Sequence, residues 1–314
     1  MTLTWLYVPG DRPERFDKAM ASGADVVIVD LEDAVAPSRK DAARRNVVDF
    51  LRAGPSSPRA RADGAAGDRG GPGAGARAGD STGERGAPAV GARVDGAGWD
   101  PGGPSVHVRV NDPATDHGRR DLRALAGLPL AAVRVPKVHS VATLDLVDLD
   151  VPVHALLESA AGVVNAAAIA AHPRVAGVAL GEQDLMAELS ITDEAALDHL
   201  RVQAVLAAAA AGLPPVAMSV YADVADEAGL LASTRRGRAL GLYGRAAIHP
   251  RQLPVIREAF TPTPEEVARA REIVAAAELA GDVGAVALPD GRFVDAPVVA
   301  RARRTLGLAD RLAR

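Results

Sequence analysis

The chain has no cysteine in its 314 residues, which excludes disulfides, thiolate metal sites and cysteine nucleophiles together. Aromatic residues are scarce, 3% against 48% hydrophobic overall, so a large core has to be filled by Val, Leu, Ile and Ala, as in layered α/β interiors. Charge of one sign is not in excess. A formal net charge of −4 gives no electrostatic basis for binding nucleic acid or an anionic membrane surface. No apolar run approaches the length needed to span a bilayer, and the N-terminus lacks the basic start and long apolar stretch of a signal peptide. A cytoplasmic protein is the expectation.

What is present is a repeating strand and helix pattern. Strands are expected at Leu3 to Val8, Val26 to Val29, Val106 to Val110, Ala131 to Val135, Val153 to Leu157, Val175 to Leu180, Pro215 to Val220 and Arg245 to Ile248. Helices are expected between them. One starts at Asp11-Arg12-Pro13-Glu14, and another runs from a Ser38 cap to about Leu51, with Lys40, Arg44 and Arg45 exposed. Others cover His117 to Ala126, Val141 to Leu146, Ala160 to Ala171, Glu194 to Ala211 and Val224 to Leu240. Residues 54–104 break the rhythm. They are almost wholly Gly, Ala, Arg, Asp, Pro and Ser, with few large apolar residues besides Val90, Val94 and Trp99, so they read as a disordered insertion. The division expected is barrel residues 1–53, the insertion 54–104, barrel residues 105–258 and a C-terminal helical extension or lid over 259–314. Eight βα units in about 250 residues suit an α/β (β/α)8 TIM barrel, with a doubly wound open sheet as the competing architecture.

The strand ends carry the chemistry. The run Val26 to Val29 ends in Asp30, Glu32 and Asp33, and other strands end in Arg109 and Asn111, Lys137, Glu158, Asp184 and His249. A barrel converges such residues on one mouth although they are far apart in the chain. Crowded carboxylates raise one another's pKa unless a cation compensates them, and an oxygen-rich set without cysteine favours Mg²⁺ over Zn²⁺. Glu158 and Asp184 are the expected direct ligands, with Asp30 and Glu32 acting through waters. The fork of Arg109 suits a carboxylate or an enolate oxygen, although Arg109 and Lys137 also fit structural ion pairs with the acids. His249 before Pro250 reads as a structural histidine, and Asp223 and Asp226 as helix caps.

Several ordered motifs resemble the citrate lyase beta-subunit-like group of the aldolase and citrate lyase superfamily. They are Leu6 to Phe16, Asp30 to Val35 with Lys40 and Arg44 beyond, Val108 to Asn111, Leu157 to Ser159, Gly181 to Leu185, and Ile248 to Gln252. The resemblance implies a Mg²⁺-dependent barrel, a trimer or a multiple of it. Such an enzyme makes or breaks a carbon–carbon bond between an acyl-CoA thioester and a 2-oxo acid, as in citryl-CoA or malyl-CoA. It places Glu158 and Asp184 on the metal, Asp30 and Glu32 among the catalytic acids, and Arg109 on the oxo acid or enolate. Pro9, Gly10, Arg12 and Lys137 fall at the substrate. Near the C-terminus, Gly291 to Pro297 resembles the family segment whose aspartate reaches a neighbouring subunit's mouth and exchanges the thioester α-proton, so Asp295 takes that role; its own neighbourhood suggests only a cap for a helix from Pro297 to Leu306. The chain departs from the family in having Thr4-Trp5 where Arg-Ser is common, Arg245 where Lys is common, and Met218-Ser219 where Asp-Gly is often seen. A malate-synthase-like condensing thioesterase, aldol cleavage of a free hydroxy-oxo acid and a carrier-protein-docking lyase subunit are the alternative functions.

Overall fold

A run of four branched apolar residues ending in aspartate forms the most buried strand of the molecule. In the computed structural model, which describes residues 2–54, 103–280, 285–288 and 291–312, Val26–Asp30 (β2) is buried at every position. It pairs in parallel with Thr4–Pro9 (β1) on one side and Ser105–Arg109 (β3) on the other. Ala132–Val135 (β4), Val153–Leu157 (β5) and Val175–Leu180 (β6) extend the sheet beyond β3, and Arg245–Ala247 (β7) extends it beyond β1. The start of β1 is pinned by Asp25, whose Oδ2 accepts from the amides of Leu3 and Thr4 at 2.8 Å each and from the Thr4 hydroxyl at 2.9 Å.

The strand expected over Pro215 to Val220 is reduced to two isolated parallel bridges, Ala217 with Ala179 of β6 and Met218 with Arg245 of β7. Pro214 and Pro215 carry no N–H and so cannot donate to a ladder. The bridges still connect the two edge strands of the seven-stranded sheet through this segment.

Helices follow the strands. Phe16–Met20 (α1) is shorter than expected, and Lys40–Ala53 (α2) buries Ala43, Val47 and Leu51, one stripe at four-residue spacing. Ser38 does not cap α2: it lies within a short 3₁₀ turn, Pro37–Arg39, and no side chain caps either element. Asp116–Leu125 (α3) is capped instead by Thr115, whose hydroxyl accepts from the Gly118 amide at 3.1 Å. Val141–Asp145 (α4) follows β4. The single helix expected over Ala160 to Ala171 is two, Ala160–Val164 (α5) and Ala166–Ala170 (α6), because Asn165 leaves helical backbone geometry. Glu182–Leu189 (α7) was not anticipated, and it takes Asp184 into its first turn. Glu194–Ala210 (α8) and Glu227–Ala239 (α9) complete the series, α9 being capped by Asp226 onto the Gly229 amide at 2.8 Å.

The chain divides into two compact units, Met1–Ile256 and Arg257–Arg314, with the boundary inside Gln252–Phe260 (α10). The second unit contains Pro264–Ala280 (α11), an antiparallel pair Ala285–Ala287 (β8) and Phe293–Asp295 (β9), and Ala296–Leu312 (α12). Ala270, Ile273, Leu288, Val294 and Ala302 form its core. Apart from residues 54, 103 and 104, the segment expected to be a disordered insertion lies outside the described residues. No helix among the described residues is long and apolar enough to cross a membrane.

In the first unit, residues paired in register project to the same face of the sheet. Trp5, Val26, Ile28 and Ala246 share an inner face with Tyr7, Ala217 and Val220. Continuing that face along the register puts Asp30, Arg109, Arg134 and His154 in one row across β2 to β5, with His107 two residues before Arg109. The centre of the sheet is therefore apolar at one level and charged above it.

Candidate active site

The sheet ends bring five of the expected residues into direct contact. Asp30 is fully buried and saturated: its Oδ1 accepts from Arg109 Nε at 2.7 Å and the Glu32 amide at 2.9 Å, its Oδ2 from Arg109 Nη2 at 2.6 Å and the Ala34 amide at 3.1 Å. A carboxylate with this many donors has no lone pair to spare for a cation. Arg109 Nη1 also reaches Glu32 at 3.0 Å and Asp33 at 3.2 Å. Its single positive charge is therefore shared among three acids. Burial opposes its charge, but Asp30 holds it protonated well beyond the ordinary range.

Lys137 joins Glu32 to Glu158. Its ammonium lies 3.1 Å from Glu32 Oε1, and its amide donates to Glu158 Oε2 at 3.0 Å. The residue adopts a left-handed backbone, φ 55°, which is uncommon outside glycine. Burial pushes the Glu32 carboxyl up to about 7, against the pull of Arg109 and Lys137. Burial likewise pushes Glu158 up to about 7; the Lys137 amide works against this, and the charges of Glu32 and Asp184 add to it.

Glu158 is buried, yet its Oε1 takes no hydrogen bond among the described residues. Gly181 makes the space for it: a Cβ there would stand 2.3 Å from Glu158 Cγ and 2.8 Å from Oε1. Asp184 is exposed in the first turn of α7 and forms no hydrogen bond or ion pair among the described residues. Its neighbour Glu182 is unavailable, being held by Arg201 at 2.9 and 2.7 Å. Two carboxylates that repel each other and keep oxygens free of protein donors are a chemical fit for a hard divalent cation. No cluster of three or more metal-binding side chains occurs among the described residues. Mg²⁺ keeps several waters and is often held by one or two carboxylates together with substrate oxygens, so Glu158 and Asp184 make an adequate pair of donors for it.

Pro9 and Gly10 abut this site through the Gly10 amide, which donates to the Asp30 carbonyl at 2.8 Å. A Cβ on Gly10 would meet that carbonyl oxygen at 2.8 Å, so the approach requires glycine. Arg12 is exposed, and among the described residues its backbone alone is engaged, donating to the Pro9 carbonyl at 3.0 Å and accepting from the Arg15 amide at 2.9 Å. His249 makes a turn: its Nδ1 accepts from the Arg251 amide at 3.1 Å. Asp295 belongs to the second unit, where its Oδ1 accepts from the Val298 amide at 3.2 Å and caps α12.

Sequence reasoning missed the brace behind the acidic loop. Lys40 and Arg44, expected to be exposed, turn inward. Lys40 Nζ donates to the carbonyls of Leu31 and Glu32 at 3.0 Å each and to Asn111 Oδ1 at 2.5 Å. Asn111 and Arg44 are in turn fixed by buried Asp121, at 2.6 and 2.7 Å. The motif Asp30-Leu31-Glu32 was the signal, because a loop carrying repelling acids needs its carbonyls tied from behind. Tyr7 was missed as well: its ring lies under the Arg109 guanidinium, 5.1 Å from centroid to Cζ.

Residues 3–60 and 99–250 match the family described as HpcH/HpaI aldolase/citrate lyase, and the unmatched 61–98 fall within the Gly/Ala/Arg-rich segment. A (3S)-malyl-CoA thioesterase of Cereibacter sphaeroides is 34% identical, with 98% of this chain and 94% of that protein covered. A citrate lyase subunit beta-like protein of Mycobacterium tuberculosis is 35% identical over 96% of this chain and 93% of that one. Among solved structures, the protein CitE from Mycobacterium tuberculosis in complex with magnesium, acetoacetate and coenzyme A superposes with a TM-score of 0.73 at 33% identity, covering 98% of both chains. The chain thus belongs to the HpcH/HpaI aldolase/citrate lyase family, a family of carbon–carbon lyases.

Proposed function

We propose that this chain is a Mg²⁺-dependent carbon–carbon lyase that cleaves or forms a β-hydroxyacyl-CoA thioester such as citryl-CoA or malyl-CoA, releasing an acyl-CoA and a 2-oxo acid. The observation that carries the reading is the pair Glu158 and Asp184, which keep oxygens free of protein donors beside acids that Arg109 and Lys137 already pair. In the same reading the bridges through Ala217 and Met218 close the sheet as the eighth member of a (β/α)8 barrel, and the protein is cytoplasmic.

Glu158 and Asp184 would hold the metal, which when bound supplies a Lewis acid for the carboxylate and hydroxyl oxygens of the substrate. Cleavage breaks the bond between the thioester α-carbon and the carbinol carbon. The hydroxyl proton leaves as the carbinol becomes the 2-oxo group, and the electron pair becomes the thioester enolate. Glu32, with its carboxyl near neutrality, is the acid–base group placed for the hydroxyl proton. Arg109 uses one Nη2 proton on Asp30 and keeps the other for the enolate or oxo-acid oxygen. Asp295 of a neighbouring subunit exchanges the α-proton in a trimer or a multiple of it. Pro9, Gly10, Arg12 and Lys137 line the substrate's approach.

The test is incubation of the purified chain with acyl-CoA thioesters and 2-oxo acids, with Mg²⁺ or with chelator, read by mass spectrometry. Metal-dependent interconversion supports the lyase; no change in any mixture refutes it and turns attention to docking on an acyl-carrier protein. The (3S)-malyl-CoA thioesterase relative favours a second reading, condensation followed by thioester hydrolysis, which the same assay detects as free CoA.

A further inference from the structure

Two arginines stand side by side on the inner face of the sheet, paired in register as Arg109 and Arg134, and only one of them has been neutralised. Arg109 meets Asp30, Glu32 and Asp33. Arg134 is 4% exposed and forms no ion pair with any carboxylate among the described residues, and its Nε is enclosed with no partner. Its one helpful neighbour is the Tyr7 hydroxyl, while burial and the adjacent Arg109 both disfavour its charge. The groups on the far side give it no anion either. His154, its register partner on β5, lies with its ring 4.9 Å from that of His107, whose Nδ1 is also enclosed without a partner. An unpaired guanidinium removed from water costs several kcal/mol, and a fold retains one where something else supplies the counter-charge.

Resting on the lyase reading above, we propose that Arg134 is the recognition residue for a second carboxylate of the 2-oxo acid, the one at the end remote from its oxo group. A guanidinium fork matches a carboxylate in its plane, and Arg109 cannot serve because Asp30 already occupies its fork. The 2-oxo acid partner is thus a dicarboxylate rather than a monocarboxylate. A monocarboxylate leaves Arg134 as unpaired as it is in the free protein and gains nothing from it, so the preference comes from the added pairing of the dicarboxylate.

The test uses the full chain with Mg²⁺ and no thioester, so it reads binding without requiring turnover. Oxaloacetate and pyruvate are titrated by calorimetry into the wild type and into Arg134→Met and Arg134→Lys. The wild type is expected to bind oxaloacetate at least about tenfold more tightly than pyruvate. Arg134→Met should abolish that preference by weakening oxaloacetate about tenfold or more while leaving pyruvate within about threefold, and Arg134→Lys should keep part of it. A wild type that binds both alike, or neither, overturns the proposal, as does Arg134→Met with the preference intact. Should that variant not fold, the wild-type ratio and Arg134→Lys still decide: a ratio near one, or an unchanged ratio in Arg134→Lys, overturns it. A chain that prefers the dicarboxylate yet turns over no thioester refutes the lyase reading alone; turnover without the preference refutes this one alone.

Discussion

Arg109 grips Asp30 through two parallel hydrogen bonds, 2.7 Å from Nε and 2.6 Å from Nη2, at a point where the aspartate has no exposed surface and the arginine very little. The aspartate that closes the most acidic strand is thereby already paired. Removing one partner strands the other's charge, so Arg109→Met should lower unfolding stability by about 3–5 kcal/mol. Urea denaturation measures this, and adding Asp30→Asn should recover part of the loss; equal losses in the single and double variants would deny the coupling.

Asp184→Asn should reduce metal-dependent turnover by about a thousandfold or more with little change in unfolding midpoint, because Asp184 is exposed and makes no hydrogen bond that the fold needs. Mg²⁺ titration of activity beside a thermal melt separates the two effects. Full activity in the variant removes Asp184 from the ligand set.

Gly181→Ala places a methyl group 2.3 Å from Glu158 Cγ, so the carboxylate has to move. Displacing a ligand in this way should weaken Mg²⁺ binding about 10–100-fold, measured by calorimetry. Unchanged affinity would mean that Glu158 does not hold the metal.

Histidine burial predicts an acid limit to stability. Burial and the nearby Arg134 push His154 down to about 3, and burial with the neighbouring His154 takes His107 well below its ordinary 6.5. Both rings are neutral in the fold, so below pH 6.5 the unfolded chain binds more protons than the native one. The stabilisation is complete above about pH 7 and shrinks as pH falls, by up to ~1.4 kcal/mol per pH unit for each ring. Denaturation at pH 7.5 and 5.5 should show a smaller pH dependence in His154→Leu than in the wild type.

Asp295→Ala should abolish exchange of the thioester α-proton into deuterated solvent while Mg²⁺ affinity stays the same. It also removes the bond to the Val298 amide, a cap worth about 1 kcal/mol. Exchange that persists in the variant assigns the proton to another group.

Much of this was legible in the sequence because burial on both faces leaves an unmistakable run, as in Val26 to Val29, and because strand-end polar residues stand out against it. Asp30, Glu32, Arg109, Lys137 and Glu158 all come together. What the sequence conceals is partnership. Lys40 and Arg44 look like ordinary exposed helix positions until α2 is packed and their side chains reach the acidic loop. Arg134 lies inside an apolar strand pattern, and only the register places it beside Arg109. Helix α7 was missed because the Gly181-Glu182-Gln183-Asp184 motif read as a loop, and Asn165 interrupts its helix with little local warning.

The two bridges at Ala217 and Met218 bear on more than architecture. Towards β7 this segment keeps backbone hydrogen bonds, from the Tyr243 amide to the Val216 carbonyl at 2.9 Å, from the Met218 amide to the Gly244 carbonyl at 3.0 Å and from the Ala246 amide to the Met218 carbonyl at 2.9 Å, whereas its seam with β6 has a single bridge, next to the turn that delivers Asp184. Local opening starts where hydrogen bonds are fewest, so within the sheet native-state amide exchange should be faster at Val216 and Ala217 than along β1 to β6. A ligand that clasps Glu158 and Asp184 together ties β5 to the end of β6 beside that seam. Its arrival should therefore be visible as slowed exchange there, a reporter of occupancy that needs no turnover at all.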